Sequence, residues 1–255
     1  MILFLGCSLT WGQGLQIEKW ISEGKDIEFC NKNSVPDYNA EYLSYEDDEY
    51  RKKHHFPNLV AKHFDKSYAT KWGNGGANDA NLEFLEKYIH YLTNEKTVEL
   101  IVIQFTDLSR DRLFNYLYKK NLYDLAEFQA KQNISVMDKI CNEELSHRED
   151  SIVGIPWIGI SWHKEHSSFM KERYKKNFVP IFYKDKEFND ISTLNQYVKD
   201  KVGIENWPKE NAFELCDKYD GVNDGHPTIE WHKVIADSII RKIKKENIQF
   251  KRYNN

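Results

Sequence analysis

Hydrophobic residues fill two short runs of the sequence almost without interruption. Residues 2–5 and 99–105 are apolar at nearly every position, which is typical of strands buried on both faces of a parallel sheet. Residues 67–72, 152–160 and 179–183 are further apolar stretches of strand length. The pattern predicts about five strands.

Three other segments, residues 56–64, 81–92 and 231–243, have apolar positions that recur every three or four residues. This spacing predicts amphipathic helices. Strands that alternate with helices predict an α/β fold over residues 1–255, a single domain built as a three-layer sandwich around a central parallel sheet. Ligands bind at the carboxyl ends of the strands in such sheets, so residues that directly follow a strand are the candidates for function.

Two polar segments do not fit this minimal plan. Residues 37–55 carry an acidic block followed by a basic block, and residues 110–148 form a long polar stretch of helical character. We interpret both as insertions near the top of the sheet. Most of their residues, His54 and His55 among them, are expected to be solvated, because runs of charge usually form exposed faces.

The composition argues against several classes of protein, namely nucleic-acid-binding, zinc-binding and membrane-spanning proteins. The 255 residues include 36 basic and 40 acidic side chains, a net charge of −4, so nucleic-acid binding through bulk charge is not expected. The four cysteines are widely separated and form no metal-binding pair. No run approaches the ~20 apolar residues of a membrane span, and the first residues lack the basic start of a signal peptide. We therefore expect no membrane span and a cytoplasmic location.

Ser8 directly follows the first predicted strand, in the segment Gly6-Cys7-Ser8-Leu9-Thr10. This is a position that suits a nucleophile, because it lies at the carboxyl end of a strand and the backbone N–H groups of the next residues can point at an anion. A helix N-cap uses the same residue type at the same place, so this segment alone leaves both roles open. The α/β-hydrolase elbow is excluded because it requires glycine where Thr10 stands.

His226 lies just before the last predicted helix, between Asp224 and Pro227. Proline keeps the residue before it extended, so His226 is presented from a loop. A carboxylate two residues away can orient the imidazole, as a general base requires. The alternative is an Asx turn with a helix-capping histidine.

Two more polar turns follow predicted strands. Residues 74–79 contain clustered glycines, including Gly76, and Asn78, whose N–H groups suit an oxyanion hole. Thr106 and Arg110 follow the central strand, and Arg110 is placed to hold an anionic substrate group. Ordinary helix starts, or an ion pair of Arg110 with a nearby aspartate, would use the same residues.

The remaining histidines suggest no metal site. His163 and His166 are three residues apart without a third ligand in register, so we interpret both as surface residues. His232 falls near core positions of the last helix and is expected to be a buried structural histidine with its hydrogen bonds satisfied.

Taken in order, the four polar blocks resemble the SGNH (GDSL) hydrolase family. That family has a nucleophilic serine after strand one, a glycine block after strand two, a G-x-N-D block after strand three and a D-x-x-H block before the last helix. The corresponding blocks here are residues 6–10, 74–78, 106–107 and 224–227. The resemblance spans nearly the whole chain and implies a flavodoxin-like SGNH hydrolase fold.

The sequence departs from the family pattern in three places. Cys7 replaces the usual aspartate before the serine. The third block lacks the asparagine that serves as oxyanion donor, which leaves Asn78 or Thr106 as a substitute; loss of one such donor costs ~10²–10³ in rate. The last block reads D-x-H, so either Asp224 or Asn223 orients His226, and we favour Asp224 because a carboxylate better stabilises an imidazolium.

The resemblance implies a serine esterase or deacylase that acts on a small-molecule or glycan ester, such as an O-acetylated carbohydrate, without a metal or organic cofactor. The catalytic residues would be Ser8, Asp224 and His226, and the oxyanion or substrate contacts Gly76, Asn78, Thr106 and Arg110. One alternative is a weakened SGNH scaffold that binds carbohydrate or serves in assembly, for instance in a phage particle. Another is an O-acyltransferase, whose structural sign would be a lid from residues 37–55. The acyl group, the acceptor and the oligomeric state stay open.

Overall fold

The structure is a computed structural model that describes residues 1–34, 43–71, 76–95, 97–142 and 154–253, without the side chains of residues 89–94. The strands are β1 (Ile2–Leu5), β2 (Tyr68–Thr70), β3 (Leu100–Phe105), β4 (Trp157–Ser161), β5 (Ile181–Tyr183) and β6 (Lys186–Phe188). The helices are α1 (Ser8–Trp11), α2 (Leu15–Ser22), α3 (Ile27–Asn33), α4 (Tyr45–His54), α5 (Phe56–His63), α6 (Asn78–Asn94), α7 (Arg112–Lys119), α8 (Tyr123–Asn142), α9 (Lys164–Arg173), α10 (Ile191–Val202), α11 (Leu215–Lys218) and α12 (Ile229–Lys245).

Four strands form one parallel sheet with the order β2-β1-β3-β4. Ile2 of β1 pairs with Tyr68 on one side and with Leu100 on the other. The chain order therefore reverses between β1 and β3. In doubly wound sheets, a crevice for ligands forms at this reversal, outside the carboxyl ends of the two strands.

Successive strand residues point to opposite faces of the sheet and enter two separate cores. Phe4 packs with Trp231 of α12 on one face, whereas Leu5 packs with Leu85 of α6 and Ile134 of α8 on the other. Each large side chain that is fully buried stabilises the fold by about 1.5–3 kcal/mol. The α/β class and the parallel sheet covered by helices are thereby confirmed.

The last segment predicted as a strand has a different pairing. β5 is joined to β6 by a tight turn with Lys184 at φ 53°, and the two strands pair antiparallel in a separate sheet. A two-residue turn makes consecutive strands antiparallel. Beside β4, a single parallel bridge joins Phe178 to Gly159. Within the described residues, the main sheet thus has four full strands rather than five.

Across the described ranges, every helix is too short or too polar to pass through a lipid bilayer.

Candidate active site

Ser8 is buried at the point where β1 turns into the short helix α1. The turn is tight: a Cβ on Gly6 would lie 2.0 Å from Thr10 Oγ1. Gly12, at φ 83°, ends the helix in the left-handed conformation that glycine adopts most readily. The sequence thus places the serine hydroxyl at the carboxyl edge of the sheet, beside the reversal between β1 and β3.

Gln104 of β3 holds this turn in place. Its Oε1 accepts hydrogen bonds from Cys7 Sγ and Thr10 Oγ1, both at 3.1 Å, and from the Cys7 backbone N–H at 3.4 Å. Sequence reasoning missed Gln104, although a single amide inside an otherwise apolar strand was a signal, because a buried polar group is retained where it has partners.

Asp224 and His226 form a hydrogen-bonded pair. Asp224 Oδ1 lies 2.7 Å from His226 Nδ1 and also accepts the His226 backbone N–H at 2.8 Å. Asp224 is buried and His226 is partly exposed. Asn223, the other candidate for this role, is exposed, and its backbone N–H donates to Asn31. The structure therefore pairs the imidazole with the carboxylate.

The loop that carries this pair packs against the loop that follows Ser8. A Cβ on Gly14 would lie 3.2 Å from both carboxylate oxygens of Asp224, so the two loops touch where Gly14 has no side chain. Within the described residues, however, the side chain of His226 donates or accepts no hydrogen bond at Ser8. Asp224 and His226 are thus hydrogen-bonded to each other, and Ser8 lies at the start of the neighbouring α1. Catalytic contacts that are long in a free enzyme often shorten when substrate binds.

Glu18 of α2 forms hydrogen bonds that connect the segment after Ser8 to the start of α12. Its Oε2 accepts the Ile229 backbone N–H at the start of α12 at 2.6 Å, and its Oε1 accepts from Lys218 Nζ and, at 3.2 Å, from Tyr219 Oη. A carboxylate at a helix N-terminus is stabilised by the exposed N–H groups there. Glu18 was not recognised in the sequence, because nothing local marks a contact with residues so far along the chain.

Gly76 lies directly against the serine turn. A Cβ at this position would be 2.2 Å from the Gly6 carbonyl oxygen, so only glycine allows this close approach of the two backbones. Asn74 and Gly75, which belong to the same predicted block, lie outside the described residues.

The Asn78 side chain has other partners than an oxyanion. Its Oδ1 accepts the Thr106 N–H at 2.7 Å, and its Nδ2 donates to the Thr106 carbonyl at 3.3 Å and to Asp111 Oδ2 at 2.9 Å. Both amide hydrogens are therefore engaged, one at the end of β3 and the other at Asp111. This arrangement differs from the oxyanion contact expected of Asn78, because its amide faces Asp111, the residue that precedes α7.

Asp111 is the centre of this buried network. It also accepts the Asn78 backbone N–H at 2.7 Å and Asn133 Nδ2 at 3.2 Å. Burial raises the pKa of Asp111 to about 6, while the hydrogen bonds from Asn78 act in the opposite direction. The network joins α6, α8 and the end of β3 at one corner of the sheet.

The two other predicted contacts, Thr106 and Arg110, form no hydrogen bond with Ser8 within the described residues. The Thr106 hydroxyl is buried and has no hydrogen-bond partner among the described residues. Arg110 is exposed at the end of a single 3-10 turn, Leu108–Arg110. The described residues show no ion pair of Arg110 with an aspartate.

A second histidine–aspartate pair, which sequence reasoning missed, lies at the same sheet edge. His163 Nε2, after β4, is 3.1 Å from Asp107 Oδ2, after β3. The hydrogen bond raises the pKa of His163 and holds the pKa of Asp107 well below its usual range. The prediction that His166 is a surface residue is wrong: it is 0% exposed and packs on Phe105. Burial lowers the pKa of His166 to about 3.

The prediction of a solvated segment over residues 37–55 is wrong for three buried side chains of its described part, Asp47, Arg51 and His55. Arg51 is 4% exposed, donates to the Trp11 carbonyl and lies over the Trp11 ring. His55 is 1% exposed and lies 2.9 Å from the Tyr68 hydroxyl, and burial lowers its pKa to about 3. Both face inward because α4 closes over the carboxyl end of α1.

His232 is buried as predicted, but only one of its ring nitrogens is satisfied. Nδ1 accepts the Phe56 N–H at 3.2 Å, whereas Nε2 has no partner among the described residues. Burial holds the pKa of His232 well below its usual value.

An open depression of about 540 Å³ is lined by residues of α2, α4 and α5 and by Tyr68 of β2. Its wall includes Lys19, Glu46, Tyr50 and Lys53, so charged side chains surround it and neither Ser8 nor His226 lines it.

One group of three potential metal ligands occurs in the described ranges, formed by Glu214, Cys216 and Asp217 with ligand atoms within 4.8 Å of one another. Lys199 already pairs with Glu214 at 3.0 Å. Burial and the neighbouring carboxylates raise the pKa of the Cys216 thiol to about 11, and a protonated thiol is a poor metal ligand.

No protein-family model matches the chain, and comparisons with curated proteins and with solved structures find no significant match.

Proposed function

We propose that the protein is a serine esterase of the SGNH type that hydrolyses a small acyl ester, with O-acetylated carbohydrate as the substrate class. The observation that carries this proposal is the 2.7 Å contact between Asp224 Oδ1 and His226 Nδ1, on a loop that packs against the loop after Ser8. The position of Ser8 at the reversal of the strand order supports it, because ligands bind there in doubly wound sheets.

The proposed mechanism uses each of these groups in turn. The Asp224 carboxylate holds the proton on Nδ1 of His226, which leaves Nε2 free to accept the proton of Ser8. Ser8 Oγ attacks the ester carbonyl, and the backbone N–H groups of Ser8 and Gly76 bind the oxyanion. His226 then protonates the leaving alcohol. Water, deprotonated by His226, attacks the acyl-enzyme and releases the acid and free Ser8.

Labelling with a fluorophosphonate probe tests the proposal, since the probe reacts with an activated serine whatever the natural substrate. We expect the wild type to be labelled, Ser8→Ala to be unlabelled, and His226→Ala to react about 10²–10⁴-fold more slowly. Ser109→Ala is the matched serine control, since Ser109 is exposed at the same sheet edge.

His163→Ala is the matched histidine control, because His163 is the other aspartate-paired histidine at this edge. It should keep full labelling. A folded wild type that remains unlabelled would contradict the proposal, and loss of labelling in His163→Ala but not in His226→Ala would transfer the role of base to His163.

A catalytically weakened scaffold that binds carbohydrate is the second candidate function. Two observations favour it: the Asn78 amide is engaged with Thr106 and Asp111, and no hydrogen bond joins Ser8 to His226 within the described residues. The same labelling experiment separates the two, because a scaffold without an activated serine does not react with the probe.

A further inference from the structure

The helical hairpin α7–α8 carries an apolar patch on its outer surface. Of the twelve large hydrophobic side chains that are exposed in the described part of the chain, seven lie within residues 113–128, each 44–59% exposed. They are Leu113, Tyr116, Tyr118, Leu122, Tyr123, Leu125 and Phe128. Apolar side chains that are exposed singly are ordinary, but seven exposed within one helical hairpin indicate an interaction surface.

The patch exists because α7 forms an extra layer outside the core. None of its residues is fully buried, whereas α8 turns Ala126, Ala130 and Ile134 inward. Phe114 and Leu117, which are partly buried, supply the apolar side of α7 that faces α8. The hairpin is rooted at Asp111, the centre of the buried network described above, so its position is fixed even though its outer face is uncovered.

Basic side chains flank the α7 part of the patch. Arg110, Arg112, Lys119 and Lys120 are exposed and form no ion pair with the described residues. The acidic residues of segment 110–128 are Asp111, which is buried, and Asp124 and Glu127, which are exposed on α8. Glu127 pairs with Lys131 at 2.6 Å.

Helical spacing mixes the two kinds of side chain on the outer face of α7. Arg112, Tyr116 and Lys119 share one stripe, and Leu113 and Lys120 share the adjacent stripe. A partner that binds this face must therefore carry negative charge and also have an apolar region that accepts the exposed side chains.

We propose that the α7–α8 hairpin docks the protein on an anionic lipid surface. Helices of this kind lie in the interface of a bilayer, with leucine and aromatic side chains among the acyl chains and lysine or arginine at the headgroups. Sugar rings or nucleic-acid bases stack on tyrosine and phenylalanine, but they give no role to the three exposed leucines. This proposal does not depend on the esterase activity, because its test measures only the binding of the protein to lipid vesicles.

Vesicle flotation tests the proposal with the full chain. The wild type should float with vesicles of phosphatidylcholine mixed with phosphatidylglycerol, float much less with phosphatidylcholine alone, and be released as sodium chloride is raised. The double variant Lys119→Glu/Lys120→Glu should bind at least about tenfold more weakly, since each basic residue at an anionic surface contributes about a factor of five. The matched control Lys244→Glu/Lys245→Glu changes an exposed lysine pair at the end of α12 and should bind like the wild type.

A second pair of variants tests the apolar contribution. Leu113→Ser/Leu125→Ser should lose most of its binding, and Ile204→Ser, at an exposed apolar residue elsewhere on the surface, should keep it. Absence of wild-type binding to the anionic vesicles, or an equal loss in both lysine pairs, would overturn the proposal. So would dimerisation of the wild type that Leu113→Ser abolishes, since a second copy would then cover the patch. Circular dichroism of each variant verifies that it is folded.

Discussion

Replacement of His166 by leucine should reduce the sensitivity of the fold to acid. His166 is fully buried against Phe105, neither of its ring nitrogens has a partner among the described residues, and its pKa is lowered to about 3. The unfolded chain binds a proton at this residue near the ordinary histidine pKa of about 6.5. The unfolded state therefore binds more protons on acidification, and stability falls as the pH drops from about 6.5 towards about 3.

The size of the effect follows from these two pKa values. Between about pH 7.5 and about pH 5, preferential protonation of the unfolded chain at His166 removes roughly 2 kcal/mol of stability. Burial lowers the pKa of His55 to about 3 as well, so His166 and His55 together remove roughly 4 kcal/mol over this range. The lowered pKa of His232 acts in the same direction. A domain is typically stable by about 5–15 kcal/mol, so these histidines should remove a large part of the stability by about pH 5. Asp111 offsets part of this loss, because its raised pKa makes the folded state bind the extra proton.

Urea denaturation of His166→Leu at the two pH values measures the prediction. The variant should lose roughly 2 kcal/mol less than the wild type between them, and at the higher pH it should be at least as stable, since no hydrogen bond is lost. His63→Leu, at an exposed position on α5, controls for removal of a histidine as such. A pH dependence of His166→Leu equal to that of the wild type would refute the reasoning.

Three further changes probe the sheet edge. Gly76→Ala should destabilise the fold by about 1–3 kcal/mol and abolish labelling of the serine, because its Cβ would meet the Gly6 carbonyl; urea midpoints and the probe assay measure both effects. Gln104→Leu should cost about 1–3 kcal/mol in the same denaturation experiment, since buried donors of the serine turn lose their acceptor. His163→Asn should lower the free energy of unfolding by about 0.5–1 kcal/mol, a value reduced for solvent screening. The loss should appear between about pH 4, where Asp107 of the unfolded chain ionises, and the raised pKa of His163, above which the histidine loses its charge. Melting temperatures across pH should show this difference shrinking above that pKa, and a constant difference would count against the ion pair.

The sheet was the most predictable part of the fold. The apolar run at residues 2–5 coincides with β1, and the run at residues 99–105 differs from β3 by one residue. Strands that are buried on both faces leave an uninterrupted apolar signal in the sequence. The fifth run was ambiguous for a physical reason, because the apolar pattern of β5 does not specify whether its partner is β4 or β6.

Buried polar residues were the least predictable. Arg51, His55 and His166 all have polar side chains, which are usually exposed in proteins. The groups that cover them, at Trp11, Tyr68 and Phe105, are distant in sequence, so no local pattern indicates the burial. The pairing of Asp224 with His226 was predicted because the two residues are close in sequence. The pairing of Asp107 with His163 was missed, since it depends on two strands that meet only in the sheet.

The Glu18 contact has a consequence for the order of folding. Its partners Lys218, Tyr219 and Ile229 lie 200–211 residues away in sequence, and contacts over such separations close slowly because a long stretch of chain must first be ordered. The serine turn, by contrast, is built from neighbouring residues and needs only β3 to hold it. During refolding, the helical signal should therefore return before Ser8 becomes reactive, and the time between the two is the time that the last helix takes to reach α2.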